Sequence, residues 1–143
     1  MLNSIIKYIT KMKLIKISAI TLKIKNMRNE WQFYSKIPGL TLRYGGPDSS
    51  FTSFEMTDEF NNSKSYINFE LTNRLKYDNN FGRIIIYSKN VDNLYEYFKQ
   101  DQDICRLIKL KNKPVDGAWG ERYFHILDPE KYELSFAQLI NQN

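Results

Sequence analysis

Few residues in this chain have chemistry to offer, and most of them sit on short alternating runs. His125 is the sole histidine and Cys105 the sole cysteine. An imidazole titrates near neutrality and can act as a general base, so His125 and the carboxylate Glu70 are the candidates for acid–base work. A lone histidine has a plainer reading as a wall residue of its strand, and spacing alone assembles no triad around it. Arg83 and Lys23 could hold an anion, whereas Glu70 and Glu133 could hold a cation. Tyr66, Tyr87 and Trp119 offer π faces to a planar or cationic ligand, and Asn68 and Ser135 offer hydrogen bonds. Cys105 lies in DQDICRLIKL, which reads as a strand with no base or electropositive surround, so it is taken as an inert core thiol.

The chain-wide composition narrows the partners. The 143 residues carry a net charge of +5, but the excess is local. Residues 1–28 hold Lys7, Lys11, Lys13, Lys16, Lys23, Lys25 and Arg28 and no acid, leaving fourteen basic against sixteen acidic residues elsewhere. The body is therefore not basic, and no nucleic-acid recognition motif is present. No apolar run is long enough to span a membrane. With one cysteine no intramolecular disulfide can form, which suits a reducing cytoplasm. Ten Tyr, nine Phe and two Trp exceed what a small core needs, so some should line a groove, pocket or subunit contact.

These residues must be positioned by the elements between them. Residues 1–13 read as a flexible N-terminal extension. Apolar residues at 2, 5, 6 and 9 suit a short amphipathic helix, the missing acids give a transit-peptide alternative, and Met12 is an alternative start. Residues 15–24 alternate as a strand, and Asn26 caps a helix over 28–35 that Pro38-Gly39 ends. A hairpin over 40–44 and 51–56 follows, then a strand over 65–72 with Ile67, Phe69 and Leu71 on one face and Tyr66, Asn68 and Glu70 on the other. After a polar linker at 73–80 the order repeats: strand 83–88, helix 91–100 with Val91, Leu94, Tyr95 and Phe98 at helical spacing, and strand 104–110. A hairpin over 122–127 and 132–138 closes it around Asp128-Pro129-Glu130-Lys131. Three strands follow each helix, which separates this pattern from the βαββαβ order of a ferredoxin-like unit. The expected class is α+β, one domain over 14–143 made of two βαβββ modules, at about 14–74 and 81–140.

The motifs FYSKIPGL (33–40) and WGERYFHILDPEKYELSFAQ (119–138), set in this duplicated order, resemble the vicinal oxygen chelate superfamily. That group includes glyoxalases, bleomycin-resistance proteins and extradiol dioxygenases. The resemblance implies two modules forming an open, curled mixed sheet around a cavity, a homodimer, and a small molecule bound inside. Metal-using members place ligands at positions that fall here on Ala19, Glu70, Arg83 and Ser135. Only Glu70 can ligate, and Arg83 would set a fixed positive charge where a cation belongs. One histidine cannot build the two-histidine, one-carboxylate iron site within a chain.

No metal and no cofactor are therefore expected, although a divalent metal held by other ligands stays open. The expected ligand-binding residues are Lys23, Tyr66, Asn68, Glu70, Arg83, Tyr87, Trp119, Glu133 and Ser135, with Glu70 and Arg83 pairing in place of the metal. The resemblance implies a small-molecule-binding protein. The single cysteine suits the cytoplasm, and the charge distribution and the lack of a spanning run lead to no expected nucleic-acid or membrane partner. A nucleic-acid or membrane-surface module through residues 1–28 ranks third. The alternative is a divergent enzyme of the same superfamily: lactoylglutathione-lyase-like, an isomerase, or dioxygenase-like.

Overall fold

In a computed structural model, residues 1–12, 15–73 and 82–140 are described. The first element, α1 (Leu2–Lys11), takes the helical form its apolar spacing predicts and buries none of its residues. The first sheet follows from alternation. In β1 (Ala19–Ile24) Leu22 and Ile24 are buried while Thr21 and Lys23 are exposed, so one face meets the core and the other faces away. The chain then enters α2 (Met27–Tyr34), whose N-terminus is capped by the Asn26 side chain accepting from Asn29 N–H at 3.0 Å, a contact worth about 1 kcal/mol. Next come β2 (Leu40–Tyr44), β3 (Phe51–Asp58) and β4 (Ser63–Leu71), in a sheet of order β1-β4-β3-β2 with β1 parallel to β4. Gly45 (φ 82) turns β2 into β3 and lies so near the Phe51 carbonyl that a side chain would collide with it.

The second half repeats this plan. β5 (Ile84–Tyr87) leads into α3 (Val91–Gln100), capped by Asn90 as Asn26 caps α2. Then follow α4 (Gln102–Leu107), β6 (Lys109–Leu110), β7 (Val115–Asp116), β8 (Glu121–Leu127) and β9 (Glu133–Leu139). The sheet order is β5-β9-β8-β6, with β7 also on β8, and β5 runs parallel to β9 as β1 does to β4. The result is an α+β fold of two open mixed sheets.

Two details depart from the sequence reading. The strand expected over 104–110 is mostly α4, because the Asp101 carboxylate caps Ile104 N–H at 3.0 Å and starts a helix; only Lys109–Leu110 pair as strand. Cys105 is accordingly an exposed helix residue, not a core thiol. The strand expected from residue 15 begins at Ala19, where pairing with Tyr66 opens the ladder. Of the linker expected at 73–80, residues 74–80 lie outside the described residues.

One core lies under both sheets. Tyr34 packs on Phe69 and Phe54 of the first, with ring centroids 4.5 and 6.2 Å apart, and Phe98 packs on Phe136 and Phe124 of the second at 5.5 and 6.1 Å. Phe33 meets Phe98 edge-on at 5.6 Å and joins the halves. Each such pair adds about 0.5–1.5 kcal/mol beyond its area burial.

The β8–β9 turn clasps the halves together. Buried Asp128 accepts from the Tyr34 hydroxyl at 2.9 Å and, through its other oxygen, from Glu130 and Tyr132 N–H at 2.9 Å each. Glu130 accepts from the backbone N–H groups of Lys25 and Asn26, at the entry to α2. The Tyr132 hydroxyl donates to the Lys23 carbonyl at 2.5 Å. A turn that reads in sequence as local hairpin chemistry therefore satisfies backbone donors some hundred residues away.

Candidate functional site

The site is built by strand register. Each sheet turns one face to the helices, so the alternate residues face away. On the second sheet His125 stands opposite Ser135, and Ser135 opposite Ile85. In the neighbouring row Tyr123 stands opposite Ala137, and Ala137 opposite Tyr87. Arg83, just ahead of β5, reaches Glu133 at the start of β9: Nε lies 3.4 Å from the carboxylate. Lys111, just beyond β6, donates to the same carboxylate at 2.6 Å. Arg83 Nη1 also lies 3.2 Å from His125 Nε2. Trp119 stacks on Tyr123 (5.2 Å, 27°), and Tyr123 leans on His125 at 4.9 Å. The Trp119 indole N–H is fixed on Glu121 at 2.7 Å. Together they form two cations, one carboxylate and an imidazole beside an aromatic stack.

Electrostatics follow from that packing. Burial holds the His125 pKa below its ordinary value of 6.5, and repulsion from Arg83 and Lys111 outweighs the opposing pull of Glu133. The ring is therefore neutral at pH 7. Guanidinium only donates, so Nε2 is the acceptor and the proton is assigned to Nδ1. That Nδ1 atom is buried and has no hydrogen-bond partner among the described residues. The Glu133 carboxyl is held below its ordinary range first by the Lys111 hydrogen bond, with Arg83 and His125 adding to it against burial. Tyr87 is raised by its hydrogen bond to Glu121.

The expected residues divide between the sheets. Arg83, Tyr87, Trp119, Glu133, Ser135 and His125 all belong to the second. Ser135 is buried against the sheet, while Tyr87 and Trp119 are exposed. Lys23, Tyr66, Asn68 and Glu70 belong to the first sheet, where Lys23 is the cross-strand neighbour of Glu70, and Asn68 donates to the Thr21 hydroxyl at 3.2 Å. The expected Glu70–Arg83 pair is not made. Parallel pairing of β5 with β9 gives Arg83 a carboxylate from its own sheet, Glu133, and among the described residues Glu70 has no ion pair. Lys111 was not foreseen, since only the register of β6 on β8 brings it beside His125, to whose carbonyl it donates its N–H at 2.9 Å.

Solved structures share the fold that carries these residues. A glyoxalase/bleomycin resistance protein/dioxygenase from Nocardioides superposes with a TM-score of 0.64, covering 98% of this chain and 95% of its own at 16% identity. A protein of the same description from Alicyclobacillus acidocaldarius gives 0.61, covering 88% and 92% at 18% identity. A glyoxalase-related enzyme from Fulvimarina pelagi gives 0.64, covering 87% and 88% at 12% identity. The chain has the vicinal oxygen chelate fold. At these identities the likeness carries the fold alone. No family model matches the sequence, and no curated protein matches it.

Within the vicinal oxygen chelate fold the implied metal can be tested against the residues present. Three donors of nitrogen, sulfur or carboxylate type are needed. Ala19, Glu70, Arg83 and Ser135 supply one, and Arg83 instead directs its charge at Glu133. Among the described residues no three His, Cys, Asp or Glu side chains are placed to hold an ion. The donor set does not fit the family's metal.

Proposed function

We propose that this protein binds a small planar anion on the outward face of β5, β9 and β8, without a bound metal. The observation that carries the reading is the convergence of Arg83 and Lys111 on a single carboxylate, Glu133, beside the unpartnered Nδ1–H of His125. Arg83 and Lys111 together carry one more charge than the Glu133 carboxylate they share, while Glu121 stands beside the aromatic stack. The stack of Trp119 on Tyr123, with exposed Tyr87 across the sheet, offers a platform for a flat ring.

The test is a thermal-shift and calorimetric panel of aromatic carboxylates against matched aromatic amines, on wild type and Arg83→Gln. Carboxylates should stabilise wild type, lose roughly tenfold or more in affinity in Arg83→Gln, and outbind the amines. Preference for the amines would refute the reading. Native mass spectrometry of the protein as purified would identify a retained ligand directly. The homodimer that the resemblance implies is part of the proposal, and a purely monomeric sedimentation profile would remove it.

One observation favours a second reading, a metal-independent lyase or isomerase of the same fold. His125 is held neutral beside a cation, which is the state a general base requires. Turnover of a glutathione hemithioacetal that disappears in His125→Gln while ligand binding persists would favour that enzyme.

A further inference from the structure

We propose that α1 is an interfacial helix that lays the protein on an anionic lipid surface. On a helical projection Leu2, Ile5, Ile6, Ile9 and Met12 share one arc, with Tyr8 at its edge, and Lys7 and Lys11 share the opposite arc one turn apart. Among the described residues nothing covers the apolar arc: Leu2 is 71% exposed, Ile5 50%, Ile6 52% and Ile9 58%. Four branched or long aliphatics left in water on one side of a short helix are unfavourable unless something receives them.

Charge selects the receiver. A second copy pairing helix to helix would cover the apolar arcs but would bring no negative charge to Lys7, Lys11 and the other basic residues, because residues 1–28 contain no acid. A sheet of anionic headgroups supplies both the missing negative charge and an apolar layer beneath it. Length fixes the mode of contact. A ten-residue helix is about 15 Å long, half of a bilayer's hydrocarbon core, and no described helix is long and apolar enough to cross a membrane. The helix must therefore lie in the interface plane. Surface contact of this kind needs no spanning segment.

The experiment is flotation of the full chain with phosphatidylcholine vesicles, with and without about 30% phosphatidylserine, at about 0.15 M and about 0.5 M salt. The protein should float with the anionic vesicles, several-fold less so at high salt, and only weakly with phosphatidylcholine alone. Ile6→Glu should abolish flotation, and Lys7→Glu with Lys11→Glu should weaken it roughly tenfold or more. Because α1 contributes nothing to the core, an unchanged thermal melt confirms that each variant is folded. Failure to bind anionic vesicles at low salt would overturn the proposal, as would variants that float like wild type. Self-association lost in Ile6→Glu without any vesicle binding would overturn it too, by assigning the face to a second copy.

Discussion

The protein holds two clusters of ionisable residues that look alike in composition and differ in what surrounds them. At the junction of the halves, Glu30, Asp128 and Glu130 are all buried, and Asp128 is held by the Tyr34 hydroxyl and two backbone N–H groups. On the outward face of the second sheet, Glu133 is held by Arg83 and Lys111 beside His125. The first cluster answers the needs of the backbone, whose N–H groups donate to Asp128 and Glu130. The second sets half-exposed cationic side chains on the sheet's outward face, where an exchange of partners costs little. Burial with backbone partners marks a structural clasp; charge with an open side marks a site. Their proton affinities also move in opposite directions, since burial raises Glu30 and Asp128 while the Lys111 hydrogen bond leads in lowering Glu133.

The largest effect should come from Asp128→Ala. It strands the Tyr34 hydroxyl and the N–H groups of Glu130 and Tyr132, so urea denaturation should show a loss of about 3–5 kcal/mol. Glu133→Ala, which removes a carboxylate from the open cluster, should cost clearly less. Equal losses would erase the distinction between clasp and site. Tyr34→Phe isolates one member of the clasp and should cost about 1–2 kcal/mol in the same measurement.

Next comes a pH test at Glu30. Its side chain is fully buried, and burial first, then the charge of Asp128, raises its pKa well above 4.5. The folded state therefore binds a proton that the unfolded chain releases sooner. The stabilisation is complete below the unfolded value and drains away as pH rises through the folded one. Wild type should weaken as pH rises from the unfolded value of 4.5 through the raised folded one, and Glu30→Gln, which cannot ionise, should flatten that slope and be the more stable protein above that range. Glu133 has the opposite sign: its contribution is present above its unfolded value and lost as pH falls through the lowered one. A slope that survives in Glu30→Gln would show that the clasp does not hold that proton.

The sheets and both long helices were legible because period-two alternation in 19–24 and 65–71, and apolar residues at helical spacing in 91–98, each point to one element. Asn26 marked its helix start for a local reason of the same kind, and Asn90, which the sequence reading passed over, caps α3 in the same way. The Ile104–Leu110 segment misled because a six-residue helix leaves no readable period, and its signal was Asp101 outside the apolar run. At the site, alternation set Arg83, Tyr87, His125 and Glu133 on one face of their strands, and the register keeps Tyr87 in the row of Ala137 and His125 in the row of Ser135. Partner choice was not legible. Arg83 could be assigned to Glu133 only once β5 was known to run beside β9, and Lys111 only from the pairing of β6 with β8. Nor could the sequence show that Asp128-Pro129-Glu130-Lys131 serves α2 as well as its own hairpin, since that depends on how the halves dock.

The smallest effect is also the most specific to the open cluster. His125 is kept neutral by burial first and by Arg83 second, against the attraction of Glu133. Arg83→Gln removes the guanidinium charge and leaves the ring equally covered, so the imidazole pKa should move up toward 6.5 without reaching it, as read by an NMR titration of the single histidine. Loss of the Nε2 donor also frees the tautomer, and the ring-carbon shifts should change from the Nδ1–H form toward a mixture. Stability should hardly respond, because this pair is part of a half-open surface. A pKa that stays fixed, together with a marked loss of stability, would place Arg83 with the clasp residues and leave the outward face of β5 without its cation.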